Sequence, residues 1–144
     1  MPAKRAVVDA WEALFRAQVA VLRDIIAEFP DERLTITEYD VLFNLSKLPG
    51  WSARPRDLNQ LLLLSQPSVS RMIDRLVERG LVTKSPDPED GRGIVVTLTE
   101  AGHSLFLRVA AIHSESIVRR FGDALDDAEL AELTELCDRL RAAR

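Results

Sequence analysis

LVERGLVTKSPDPEDGRGIVVTLTEAG, residues 76–102, decides how the rest of the chain is read. Two β-rich runs, 81–85 and 94–99, flank the loop Pro86-Asp87-Pro88-Glu89-Asp90-Gly91-Arg92-Gly93, so the stretch is a hairpin. Just upstream, Val69, Met72/Ile73 and Leu76/Val77 fall on one helical face, and Gly80 suits the left-handed turn that closes a helix. Ser65 caps that helix, with Pro67 at its second position. A shorter helix starts at Arg54-Pro55 and turns Leu58, Leu61 and Leu62 inward. Two short helices joined by a tight turn and followed by a hairpin form a winged helix-turn-helix.

Long helices are expected on both sides of this module. Val7/Val8, Trp11, Leu14/Phe15, Val19, Leu22, Ile25/Ile26 and Phe29 repeat at helical spacing until Pro30 ends the pattern. Thr35 with Glu38 makes a capping box that opens a helix through Tyr39, Leu42, Phe43 and Leu45, broken at Pro49-Gly50. Glu100-Ala101-Gly102 leads into a helix reaching about Phe121. Asp126 with Glu129 then opens a last one, with Leu130, Leu133, Leu136/Cys137 and Leu140 on one face. The fold class is therefore mainly α with a small β-wing. One domain spans 1–144: a DNA-binding lobe at 35–99, flanked by helices at 1–30 and 100–144 whose apolar faces exceed what the lobe covers and so serve dimerisation.

Composition narrows the function. The chain has 144 residues, 47% hydrophobic and 29% charged, enough for one globular domain. No apolar run approaches the roughly 20 residues of a membrane helix, and Asp9, Glu12 and Arg16 interrupt any signal-peptide core, so a cytoplasmic protein without a membrane partner is expected. The formal net charge is −4, but it is unevenly spread. Residues 54–84 carry six basic side chains against three acidic ones, whereas 121–138 carry seven acids and no base. A basic middle permits a DNA-binding face on an acidic protein. No glycine-rich phosphate loop, nucleophile elbow or isolated carboxylate pair is present, so an enzyme is not expected.

Three separated motifs, in order, carry a family resemblance. Leu76-Val77-Glu78-Arg79-Gly80-Leu81-Val82, Asp90-Gly91-Arg92 and Val96-Thr97-Leu98-Thr99-Glu100-Ala101-Gly102 resemble the recognition-helix exit, the D-x-R wing and the L-T-x-x-G junction of the MarR-type winged-helix transcriptional regulators. The resemblance covers nearly the whole chain. It departs at Gly91, where the family often has a basic residue. It implies a homodimer interlocked through its first and last two helices. It also implies repression of transcription, relieved by a small anionic, often aromatic, effector or by an oxidant.

The residues expected to meet double-stranded operator DNA are Arg54, Gln66, Pro67, Ser68, Ser70, Arg71, Arg75, Asp90 and Arg92. Arginine bonds guanine bidentately, and serine or glutamine reads base edges, so Arg71 and Ser68 are the expected base readers. Arg75 is assigned to phosphate, held by Asp74 or Glu78 when DNA is absent. Arg92, on the hairpin tip, suits a minor groove, with Asp90 holding its guanidinium. A dimer would present two recognition helices roughly 34–36 Å apart to a palindromic operator.

Trp11, Phe15, Phe43 and His113 are the candidate effector-binding residues, although aromatics and histidines on apolar faces serve more often as packing. No cofactor is expected. His103 and His113 are ten residues apart, and no H-x-x-x-H spacing suggests a metal. The lone Cys137, on the leucine face, excludes an internal disulfide and reads as buried filler rather than a redox sensor. The alternative function is a winged-helix dimer that binds protein instead of DNA. Salt separates the two, because counterion release makes DNA binding fall steeply with ionic strength.

Overall fold

The computed structural model describes residues 1–30, 33–62 and 69–143. Along them run α1 (Lys4–Glu28), α2 (Ile36–Ser46), a 3-10 turn (Pro49–Trp51), β1 (Ser52–Ala53), α3 (Pro55–Leu61), α4 (Val69–Glu78), β2 (Val82–Pro86), β3 (Ile94–Leu98), α5 (Glu100–Gly122) and α6 (Asp127–Ala142). The fold is mainly α with a small antiparallel wing, as the sequence indicates. The chain forms two compact units: a lobe, Pro30–Ile112, and a helical unit made of Met1–Phe29 with the chain from His113 onward. Among the described residues, no helix is long and apolar enough to cross a membrane.

Local chemistry sets the boundaries in the lobe. The Glu38 backbone N–H donates to Thr35 Oγ1 at 3.2 Å, and the Thr35 N–H donates to Glu38 Oε1 at 2.9 Å. Together they satisfy two of the backbone donors a helix start leaves open. The 3-10 turn follows α2, with Gly50 at φ +65°. Gly80 closes α4 at φ +72°. Its N–H donates to the Val77 carbonyl (3.0 Å), while that of Leu81 reaches back to Leu76 (3.0 Å), the paired bonds of a Schellman turn. Leu42, Leu45, Leu58, Ile73, Leu76, Val82, Val96 and Leu98 form the core under these elements.

Strand β3 is central, with the order β1-β3-β2. The hairpin pairs Val82 with Leu98 through to Pro86 with Ile94. On the other side, Ser52 and Ala53 pair with Thr97 and Val96, and the Ser52 and Thr97 hydroxyls lie 2.7 Å apart. Only two strands are legible in the sequence. A two-residue strand has no alternation to read, and its partner lies 45 residues away. The reading of α3 is also corrected. Leu58 is fully buried and Leu62 half-buried, but Leu61 is exposed. It lies about 60° round the helix from Leu58 and misses the narrow contact that a two-turn helix makes.

In the helical unit, the second capping box forms as expected, with Glu129 N–H to Asp126 Oδ1 at 2.9 Å and Asp126 N–H to Glu129 Oε1 at 3.1 Å. Near the end of α1, Glu28 Oε2 accepts from the buried Ser116 hydroxyl at 2.5 Å and from Arg119 Nη2 at 3.4 Å. The Ser116 bond, more than the Arg119 charge, holds the Glu28 carboxyl below its usual range. Arg120 pairs with Asp24 at 3.2 Å. Neither α1 nor α6 has a buried residue. Cys137 is half-buried rather than buried, because the leucine face of α6 is itself only partly covered within one chain.

Candidate nucleic-acid interface

Helix α4 divides cleanly. Met72, Ile73 and Leu76 are buried, while Ser70, Arg71, Asp74, Arg75 and Glu78 are exposed. Arg71 and Arg75 are one turn apart, so their guanidinium groups leave the helix on one side. Among the described residues neither has an ion-pair partner. Asp74 pairs with Lys84 rather than Arg75: its Oδ1 accepts from Lys84 Nζ of β2 at 2.7 Å, because the strand leaving α4 brings that ammonium alongside. Gln66, Pro67 and Ser68, together with Ser65, the expected cap, lie outside the described residues.

The exit of α4 is anchored by an ion pair between Arg79 and Glu38. Arg79 Nη1 donates to Glu38 Oε2 at 3.1 Å, and its Nη2 donates to the Arg33 carbonyl. Glu38, nearly buried, thus caps α2 with one oxygen and ties the end of α4 to α2 with the other. The signal available in sequence was only that Arg79 adjoins Gly80; its partner is 41 residues away.

The wing loop is built around Asp87. Its N–H donates to the Gly93 carbonyl at 3.0 Å, and the Gly93 N–H donates to the Asp90 carbonyl at 2.9 Å. Asp87 Oδ1 accepts from the Glu89 N–H at 3.0 Å. Arg54, at the start of α3, donates from Nε to Asp87 Oδ2 at 2.6 Å and from Nη2 to Glu89 Oε2 at 2.9 Å. The Arg54 bond, followed by that from the Glu89 amide, holds the Asp87 carboxyl below its usual range, and Arg54 is shifted upward in return. Arg54, one of the residues expected to meet DNA, thus has two carboxylates against it in the free chain.

Arg92 is exposed on this loop, as expected of a wing tip. Asp90 does not hold its guanidinium. Asp90 Oδ1 accepts from the Arg92 backbone N–H at 3.1 Å, because an aspartate reaches the amide two residues on more readily than the far end of a long side chain. The wing therefore fixes the Arg92 backbone.

At the base of the hairpin, Thr99 Oγ1 donates to the Gly80 carbonyl at 2.7 Å and accepts from the Gly102 N–H at 3.0 Å. One hydroxyl thus caps α5 and ties it to the end of α4.

Within the helical unit, Trp11 and Phe15 lie apart from His113. Trp11 and Phe15 stack at 5.7 Å between ring centroids and are 64% and 53% exposed. His113 is buried edge-on against Phe29, 5.0 Å between centroids, and Phe29 lies about 27 Å along α1 from Trp11. Burial holds the His113 imidazole below its usual pKa. Phe43 sits in the lobe against Tyr39 and Phe106, with Lys47 Nζ 4.4 Å over its ring.

The sequence profile of the MarR family matches residues 34–93, from before α2 to the end of the wing loop. The HTH-type transcriptional regulator YpoP of Bacillus subtilis is 31% identical over 133 residues, covering 92% of each chain. The structure of AbsC, a MarR family transcriptional regulator from Streptomyces coelicolor, superposes with a TM-score of 0.76 at 26% identity over 99% of each chain. That of Bordetella bronchiseptica BpsR, whose DNA binding is regulated by 6-hydroxynicotinic acid, gives 0.76 at 27% identity over 92% of this chain and 93% of that one.

Proposed function

Because the chain belongs to the MarR family of transcriptional regulators, we propose that it is a sequence-specific double-stranded DNA-binding repressor, acting as a homodimer on a palindromic operator and responding to a small aromatic or anionic effector. The observation that carries DNA binding is the exposed side of α4, where Ser70, Arg71 and Arg75 stand clear of the core, together with Arg92 on a backbone-fixed wing. Arg71 reads bases in the major groove, Arg75 meets phosphate, and Arg92 enters the adjacent minor groove. Gln66, Pro67 and Ser68 precede α4 in sequence and belong to the same reading.

Dimerisation is supported by α1, a 25-residue helix with no buried residue and with Val7, Val8, Trp11, Leu14 and Phe15 exposed, and by Leu136 and Leu140 exposed on α6. So much bare apolar surface on terminal helices calls for a second copy. An effector response is suggested by BpsR; it requires a ligand that binds two dimer geometries with different affinity. In a dimer, Trp11 and Phe15 gain neighbours that one chain does not supply.

The test is binding to the DNA upstream of the protein's own gene, across a salt series, with and without a panel of aromatic acids. Steeply salt-dependent, sequence-selective binding is expected, weakened by at least one acid. Salt-insensitive capture of a protein and no preference among DNA sequences would favour the protein-interaction reading instead.

A further inference from the structure

Arg54 is half-exposed beside the wing, yet its charge is already spent within the protein. The cleft at its side is lined by Arg54, Arg56, Asp87, Glu89 and Asp90, so its charged side chains sum to −1. A phosphate entering there would have to displace Glu89 and approach two further carboxylates. Arg54 is instead the first link of a chain of bonds that ends at Arg92. Its Nε holds Asp87, whose side chain is only 3% exposed. The Asp87 amide bonds the Gly93 carbonyl, the Gly93 amide bonds the Asp90 carbonyl, and Asp90 Oδ1 takes the Arg92 amide. A carboxylate as buried as Asp87 keeps its place only while a cation balances it.

We propose that Arg54 is a positioning residue for DNA binding: it fastens the wing loop to the start of α3 and thereby fixes where Arg92 meets the duplex, without touching DNA itself. The proposal rests on the DNA-binding reading above. It also assigns Glu89, 81% exposed, as the second point of the clamp rather than a solvated bystander.

The test measures affinity of the full-length protein for its upstream DNA in Arg54→Gln, Arg54→Lys, Glu89→Gln, Arg92→Ala and the Arg54→Gln/Arg92→Ala double variant. Arg54→Gln should weaken binding by about tenfold, with most of that loss absent in the Arg92→Ala background, since coupled residues are not additive. Its salt slope should match that of the unchanged protein, whereas a lost phosphate contact would flatten it by about one unit per lobe. Lysine should fail to substitute, because a point charge cannot span both carboxylates, although it would serve a phosphate well. Glu89→Gln supplies a test of sign if Arg54→Gln folds poorly. Removing an acid near DNA should tighten binding on electrostatic grounds, and the clamp requires that it weaken. Hydrogen exchange at the Arg92 and Gly93 amides reads the clamp without DNA and should quicken in Arg54→Gln.

Additive losses in the double variant, a flattened slope, full rescue by lysine, tighter binding by Glu89→Gln, or unchanged amide exchange would each overturn the proposal. Failure of the unchanged protein to bind any upstream DNA would overturn the functional reading, and with it the DNA role of Arg54; amide exchange would still report whether the clamp exists.

Discussion

The carbonyl oxygen of Leu81 lies 2.1 Å from where a Cβ on Gly102 would stand. The first turn of α5 passes so close to the strand leaving α4 that only a hydrogen fits between them, and Thr99 bonds both segments at the same point. This gives a physical reason for the glycine of the Leu98-Thr99-Glu100-Ala101-Gly102 junction.

Gly102→Ala should therefore destabilise the lobe by about 1–3 kcal/mol or more, since a backbone oxygen cannot step aside as a side chain would. Gly122→Ala, near the other end of the same helix with nothing within 4 Å of its added carbon, is the control and should be neutral or mildly stabilising. Urea unfolding of both variants checks the difference. Equal midpoints would mean that the contact relaxes at no cost.

Arg92→Ala should weaken operator binding by about 1–3 kcal/mol per wing, doubled in a symmetric dimer. The unfolding midpoint should not move, because the side chain is exposed and its backbone bond to Asp90 survives the change. Fluorescence anisotropy with labelled DNA and a thermal melt on the same sample separate the two effects.

Arg71→Ala and Arg75→Ala should fail in different ways. Loss of a base reader relaxes discrimination at one position in each half-site. Loss of a phosphate contact weakens all sequences alike and flattens the salt slope by about one unit per lobe. Matching salt slopes and matching sequence preferences in the two variants would contradict the assignment.

Acidification should weaken the fold through His113. Burial against Phe29 puts its folded-state pKa below the ordinary 6.5, so the unfolded chain takes up its proton first. Stability from this group is full above pH 6.5 and declines as pH falls from there through the lower, folded-state value. An NMR titration of the His113 ring should place its midpoint below 6.5. A midpoint above that value would reverse the sign of the effect.

Truncation after Phe121 should abolish dimerisation and specific DNA binding together, while the lobe, whose core lies within Pro30–Ile112, can remain folded. Sedimentation velocity and the DNA-binding assay on the truncated chain decide this. A stable dimer that still binds the whole operator would remove the terminal helices from the assembly.

The sequence by itself determined the helix caps, stops and the hairpin turn, whose partners lie within one short stretch. The Thr35–Glu38 and Asp126–Glu129 capping boxes, the Gly80 turn, the stop at Pro30 and the hairpin around 86–93 all stand where side-chain type and spacing place them. Their bonds close within a helical turn or a single loop, so one local stretch holds both partners. Tertiary structure decided the pairings between distant charges and backbones: Arg54 with Asp87, Arg79 with Glu38, Lys84 with Asp74, β1 with β3, and Leu81 against Gly102. With 19 basic and 23 acidic side chains, spacing along the chain cannot select among partners, because an ion pair depends on distance in space. Arg54 shows the consequence most clearly: its place in a basic stretch suggests a DNA contact, and only the fold seats Asp87 and Glu89 against it.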